Sequence, residues 1–298
     1  MTPTLVRQHT SHAGSTPRVD LSARARDWSE IQERMLVPLY EAVYDRLEVG
    51  PATRLLGLRC GSGLALLMAA GRGARVTGVD SGSPERLALA RERLLPGAPP
   101  GGAAGGRPGT RARTRTPTAV GLLDGAPGDA ADAETAAYTL VTAFEPIGCL
   151  AGDAEGLAEL LTAALPPVAR GAAVVLAGWG PPERCATSSV LRVATKLADP
   201  LSGGRARRPA GRDDLEEVAG RAGLKPDGSG RVSCPFGYAG LDSAVRGLLS
   251  TGLFDAAIAA ADAKQVDKEL AEALHPYRRP DGTVWMPNVF RYLIARVP

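Results

Sequence analysis

The sequence predicts an α/β protein built on a doubly wound, mostly parallel seven-stranded sheet, with helices on both faces and a helical cap inserted before the last strand. Three observations predict it. Arg54–Leu58 is a short apolar run, Gly61 and Gly63 form a tight turn, residues 64–70 are helical in composition, and Arg75–Val79 is a second apolar run ended by Asp80, which is a βαβ opening. Short apolar runs then alternate with amphipathic segments as far as Trp179. After a stretch of helical patterns at 235–287, NVFRYLIAR (288–296) closes the chain with strong β propensity.

Composition fits that scaffold. In 298 residues, 44% hydrophobic content supports a proper core, while 36 Gly, 24 Pro and only 4% aromatics fit long loops between the elements. The net charge of +3 is concentrated, because residues 98–116 carry Arg107, Arg111, Arg113 and Arg115 without an acid. Cys60, Cys149, Cys185 and Cys234 form no CxxC pair and no histidine cluster accompanies them, so no metal site is expected and the thiols read as reduced and mostly buried. The polar first residues lack an apolar signal core, and no apolar run approaches the roughly 20 residues that cross a bilayer, so a cytoplasmic protein without a membrane partner is expected.

Taken in order, residues 1–26 are a mobile N-terminal segment rich in Ser, Thr and Pro. Asp27-Trp28-Ser29-Glu30 is a helix entry. Ile31, Met35, Leu39, Val43 and Leu47 follow at helical spacing, with Pro38 kinking or splitting the helix. Trp28 and Tyr40 either pack or touch a ligand. After Asp80, SGSPERLALARERL supplies a serine cap, Pro84 in the first turn and Leu87, Ala90 and Leu94 on one face. Residues 98–116 have no apolar face and read as a low-complexity loop. Without interleaved aromatics its arginines argue against nucleic acid as the partner.

The third strand is 118–123 and the fourth 138–144, which leaves Glu145 at a strand end. A helix at 153–165 precedes a fifth strand that stops at Trp179-Gly-Pro-Pro. A second basic loop spans 203–212 and a helix 212–222, and a sixth strand begins at 231. The insert at 235–287 is a candidate substrate cap. It returns to the sheet through His275, Arg278, Arg279 and Asp281. These either form a salt-bridged loop or meet an acidic acceptor.

LLGLRCGSG followed by VTGVD resembles the first two motifs of class I S-adenosylmethionine-dependent methyltransferases, and YTLVTAF and PPVARGAAVVLAGWG resemble that family's fourth and fifth strands. The first motif runs acidic, any, Gly, any, Gly, any, Gly; here the slots hold Gly57, Leu58, Arg59, Cys60, Gly61, Ser62 and Gly63. Gly57 thus stands for the acid and Arg59 for a glycine. The resemblance implies a Rossmann-like methyltransferase domain over 27–234 and 288–298, its last two strands forming a hairpin interrupted by the insert.

It also implies S-adenosyl-L-methionine as cofactor, bound by Gly57, Arg59, Cys60, Gly61, Gly63, Asp80, Ser81, Asp124 and Phe144. Asp80 would take the ribose diol. Asp124 would stand in near the adenine, because Leu122 occupies the family's acidic slot. Methyl transfer to O or N of a small molecule is the expected activity. Glu145 and His275 are the candidate catalytic groups, and Trp28, Trp179, Arg278 and Arg279 the candidate substrate contacts. The alternative is a catalytically degenerate member of the fold, a ligand-binding or regulatory module. Monomer or homodimer is expected.

Overall fold

The computed structural model describes residues 20–96, 120–130, 137–148, 153–198 and 213–298. The basic loops at 98–116 and 203–212 fall outside them. Its seven-stranded sheet comprises β1 (Arg54–Leu58), β2 (Arg75–Val79), β3 (Val120–Leu123), β4 (Tyr138–Ile147), β5 (Val168–Trp179), β6 (Lys225–Ser233) and β9 (Val289–Arg296). The order is β3-β2-β1-β4-β5-β9-β6. The first five strands pair in parallel, whereas β9 is antiparallel to both β5 and β6. The chain therefore moves outward from β1 through β3 and returns to β4 on the opposite side, making β1/β4 a topological switch point.

The core explains the two-sided burial. Along β5, Ala173, Val175 and Ala177 face one apolar layer, and Val174 and Leu176 the other. Leu55 and Leu56 of β1 divide the same way, as the period of two requires. One layer packs α2 (Val37–Arg46), α3 (Leu64–Gly71), α4 (Pro84–Leu94), α6 (Thr187–Ala198) and the insert; the other packs α5 (Asp153–Ala164) and α7 (Asp214–Arg221).

Several boundaries differ from the sequence reading. Within 20–26 the chain forms α1 (Leu21–Asp27), which the Asp20 carboxylate caps by accepting from the Ala23 N–H. The helix around Pro38 is split, with a π-helical turn at Trp28–Gln32, a 3-10 turn at Glu33–Leu36, and α2 opening on Pro38. The sixth strand starts at Lys225 rather than 231, since its polar, glycine-rich beginning is held by the ladder to β9 and not by propensity. Helix α6 was not anticipated, although Val190, Leu191, Ala194 and Leu197 carry a helical spacing.

The insert contains α8 (Leu241–Leu249), α9 (Asp255–Ala260) and α10 (Ala263–Leu274). It is not wholly helical: β7 (Phe236–Tyr238) and β8 (Val284–Met286) pair antiparallel at its base. Tyr238 donates to Gln32 Oε1 at 3.0 Å, and Arg246 pairs with Asp27, so the insert is fastened to the N-terminal turns.

Candidate functional site

The carboxyl ends of β1, β2 and β4 open into a cleft of about 700 Å³, within the roughly 300–1,000 Å³ usual for small-molecule sites. Its floor is the turn after β1. Arg59, Gly61 and Gly63 all adopt left-handed backbone, with φ of 49°, 58° and 80°. For the arginine this is strained. The turn is bound to β2 through Cys60 N–H to the Val79 carbonyl at 3.2 Å.

Asp80, only 7% exposed, accepts from Gly61 N–H at 3.0 Å on one carboxylate oxygen and from Gly82 N–H at 3.1 Å on the other. Burial pushes its carboxyl above the usual range, and the two amides pull it back. Each oxygen retains a lone pair for a hydroxyl donor. Burial raises the Cys60 thiol to about 12, which disfavours its thiolate.

Glu33, absent from the sequence-based site, lines the cleft beside Gly61 and is 3% exposed. It accepts from Arg93 at 2.8 Å, from the Ser62 hydroxyl, and from Leu64 N–H at 3.3 Å, which satisfies the first turn of α3. No periodic signal marks it. Its neighbour Trp28 faces the cleft with a buried indole N–H that has no acceptor among the described residues.

The opposite wall is looser. Arg59 reaches Glu145 at 3.6 Å and Arg86 reaches it at 4.0 Å, both longer than a charge-assisted hydrogen bond. Arg86 lies 4.1 Å over the Trp28 ring and donates to the Ser250 carbonyl at 2.8 Å. Burial raises the Glu145 carboxyl and lowers Arg86, each opposed by the other's charge. At the rim, Arg24 grips Asp255 at 2.9 Å, bringing the insert to the cleft.

Of the sequence-derived residues, Trp28, Gly57, Arg59, Cys60, Gly61, Asp80, Ser81, Phe144 and Glu145 line this cleft. Gly63 lies behind the turn against Ala90 and Leu94. A carboxylate at Gly57 would require Leu66 to move, because a Cβ there would sit 2.8 Å from the Leu66 Cδ2 methyl.

Five of the expected site residues lie outside the cleft. Asp124 is exposed beyond β3 and outside the cleft. Trp179 packs on Phe290 at 4.6 Å and Phe236 at 6.0 Å, because β9 returns alongside β5 and covers it. His275 and Arg278 are exposed, and Arg279 stacks 4.5 Å over Trp285. All three lie between β7 and β8, where the insert returns to its own two-stranded sheet, and none of them lines the cleft. Among the described residues no group of three or more His, Cys, Asp or Glu is placed to hold a metal, and no helix is long and apolar enough to cross a membrane.

No protein-family model and no curated protein matches the sequence. Among solved structures, the chain is similar to YjhP from E. coli (17% identity, 93% of this chain and 99% of that one, TM-score 0.49). It is also similar to a cyclopropane synthase from Mycobacterium tuberculosis (12%, 87% and 86%, TM-score 0.48). A third is the geranyl diphosphate C-methyltransferase from Streptomyces coelicolor A3(2), solved with Mg2+, geranyl diphosphate and S-adenosyl-L-homocysteine (16%, 89% and 80%, TM-score 0.45). At these identities and scores the likeness is one of general shape, and the fold assignment rests on the strand order and pairing themselves.

Proposed function

We propose that the cleft binds S-adenosyl-L-methionine and that the chain transfers its methyl group to O or N of a small molecule. The observation that carries this reading is Asp80, a buried carboxylate at the end of β2, held by two backbone amides at the switch point with lone pairs left for a ribose diol. The other residues fit in part. Glu33 offers a carboxylate beside the glycine turn, where Gly57 has none, and the unpaired Trp28 N–H offers a donor. The bound cofactor would supply the electrophilic methyl group. The chain would contribute position, exclusion of water, and Glu145 as a weak base for the acceptor's proton.

A second reading, a ligand-binding module without turnover, is favoured by Arg59, which brings a cation to the cleft where a sulfonium would have to bind. Titration calorimetry with S-adenosylmethionine and S-adenosylhomocysteine, followed by transfer assays from labelled donor to a panel of small O- and N-nucleophiles, separates the two. The proposed activity requires binding of both and label transfer. Binding of the demethylated product alone supports the second reading, and binding of neither overturns both.

A further inference from the structure

We infer that the guanidinium groups of Arg59 and Arg86 form a subsite for an oxyanion, a carboxylate or phosphate carried by the ligand of this cleft. The inference rests on the reading of the cleft as a ligand site, and it specifies what that ligand must carry.

Three independent features support it. First, most of the hydrogen-bonding capacity of the pair is unused. Among the described residues Arg59 makes no hydrogen bond and Arg86 makes one, to the Ser250 carbonyl. Their shared carboxylate, Glu145, lies 3.6 and 4.0 Å away, outside direct hydrogen-bond range. Two planar forks with open donors match the bidentate geometry of carboxylate and phosphate.

Second, both cations are held in place by other parts of the fold. Arg86 is sandwiched between the Trp28 ring, Ser250 and Glu145, so three separate elements aim it. Arg59 keeps a left-handed φ of 49°, a strain that the surrounding structure maintains. Its guanidinium lies against α5, where a Cβ on Gly156 would be 3.4 Å from Nη2.

Third, the indole that Arg86 covers carries the buried, unpartnered N–H of Trp28, a further donor facing the cleft. A buried donor without an acceptor is uncommon in a folded protein and points to a ligand atom. Glu145 then acts as a loose internal counter-ion that an incoming anion outcompetes by making the hydrogen bonds it does not.

The anion has two sources, the carboxylate of the donor's own methionyl tail or an acidic group on the acceptor. Calorimetry on the full chain distinguishes them, using S-adenosylhomocysteine, 5′-methylthioadenosine, inorganic phosphate and benzoate as probes. Wild type, Arg59→Met, Arg86→Met, Arg59→Lys and Glu145→Gln are compared, with melting curves confirming that each variant is folded. If the donor's tail is the anion, S-adenosylhomocysteine binds wild type better than methylthioadenosine by about 10-fold or more, and Arg59→Met removes the difference. If the acceptor brings it, both nucleosides are insensitive to Arg59, whereas phosphate or benzoate binding is lost in both Met variants and strengthened in Glu145→Gln. Arg59→Lys, which keeps charge without the fork, gives an intermediate affinity in either case. Should neither nucleoside bind, the methyl-donor reading fails and the phosphate and benzoate titrations still decide the subsite. Indifference of every probe to Arg59→Met and Arg86→Met overturns the inference.

Discussion

The floor and the far wall of the cleft hold similar groups in opposite ways. On the floor, Glu33 and Asp80 are buried carboxylates whose oxygens accept from Arg93, Ser62 and the N–H groups of Leu64, Gly61 and Gly82. On the wall, Glu145 is a carboxylate with 39% of its side chain exposed and no cation nearer than 3.6 Å. The floor carboxylates are each held by two or more donors and therefore rigid. The wall keeps donors in reserve, so the floor offers a ligand fixed acceptors and the wall offers it unused donors.

The largest effect should come from the floor. Glu33→Ala leaves Arg93 and the first turn of α3 without their acceptor, and removing one partner of a buried, hydrogen-bonded pair should cost about 3 kcal/mol in urea unfolding. Glu33→Gln, which retains one acceptor, should cost less. A loss below about 1 kcal/mol for Glu33→Ala would erase the distinction between floor and wall.

Next is Gly57→Asp, which places a Cβ 2.8 Å from Leu66 and a charge beneath the turn. Destabilisation of about 2 kcal/mol is expected. Leu66→Ala made together with it should show a coupling of roughly 1 kcal/mol in a double-mutant cycle, because the space is then available. Strict additivity would show that the missing acid at this slot is not a matter of room.

The wall should be read through pH. The folded Glu145 carboxyl lies above its ordinary value of 4.5, so its contribution to stability is complete below that value and lost as pH rises through the raised one. Glu145→Gln cannot ionise. Its stability relative to wild type should therefore increase from acid to neutral pH, measured by urea midpoints across that range. A difference that stays flat would mean that Arg59 and Arg86 hold the carboxylate more firmly than their distances imply.

Arg59→Gly should change stability least. Relief of left-handed strain, worth about 1 kcal/mol, is offset by the loss of a loose ion pair and by glycine's greater unfolded entropy. A net change within about 1 kcal/mol is expected in the same urea titration.

What was legible in the sequence was local. The β1–turn–α3–β2 unit and Asp80 lie within a short stretch, where apolar periodicity and turn chemistry act between near neighbours. Lys225–Ser233 was only partly legible, since its residues show little β propensity and pairing with β9 decides its state. Trp179, His275, Arg278 and Arg279 were misplaced for a related reason: a strand end or a loop return says which edge of a sheet is near, but not which pair of strands lies beneath.

By itself the sequence determined the seven strands of the main sheet, the two-sided burial of its parallel strands and the carboxylate after β2, because each follows from side-chain period and from residues close together in the chain. Tertiary structure alone decided that Glu33 caps α3 from 31 residues away and that Arg86 meets Trp28 and, 164 positions along the chain, Ser250. The same packing filled the space beside Gly57 with Leu66. Contacts of that kind depend on how helices from distant segments dock on the sheet, and a charged residue on a helix carries no local mark of the partner it will find.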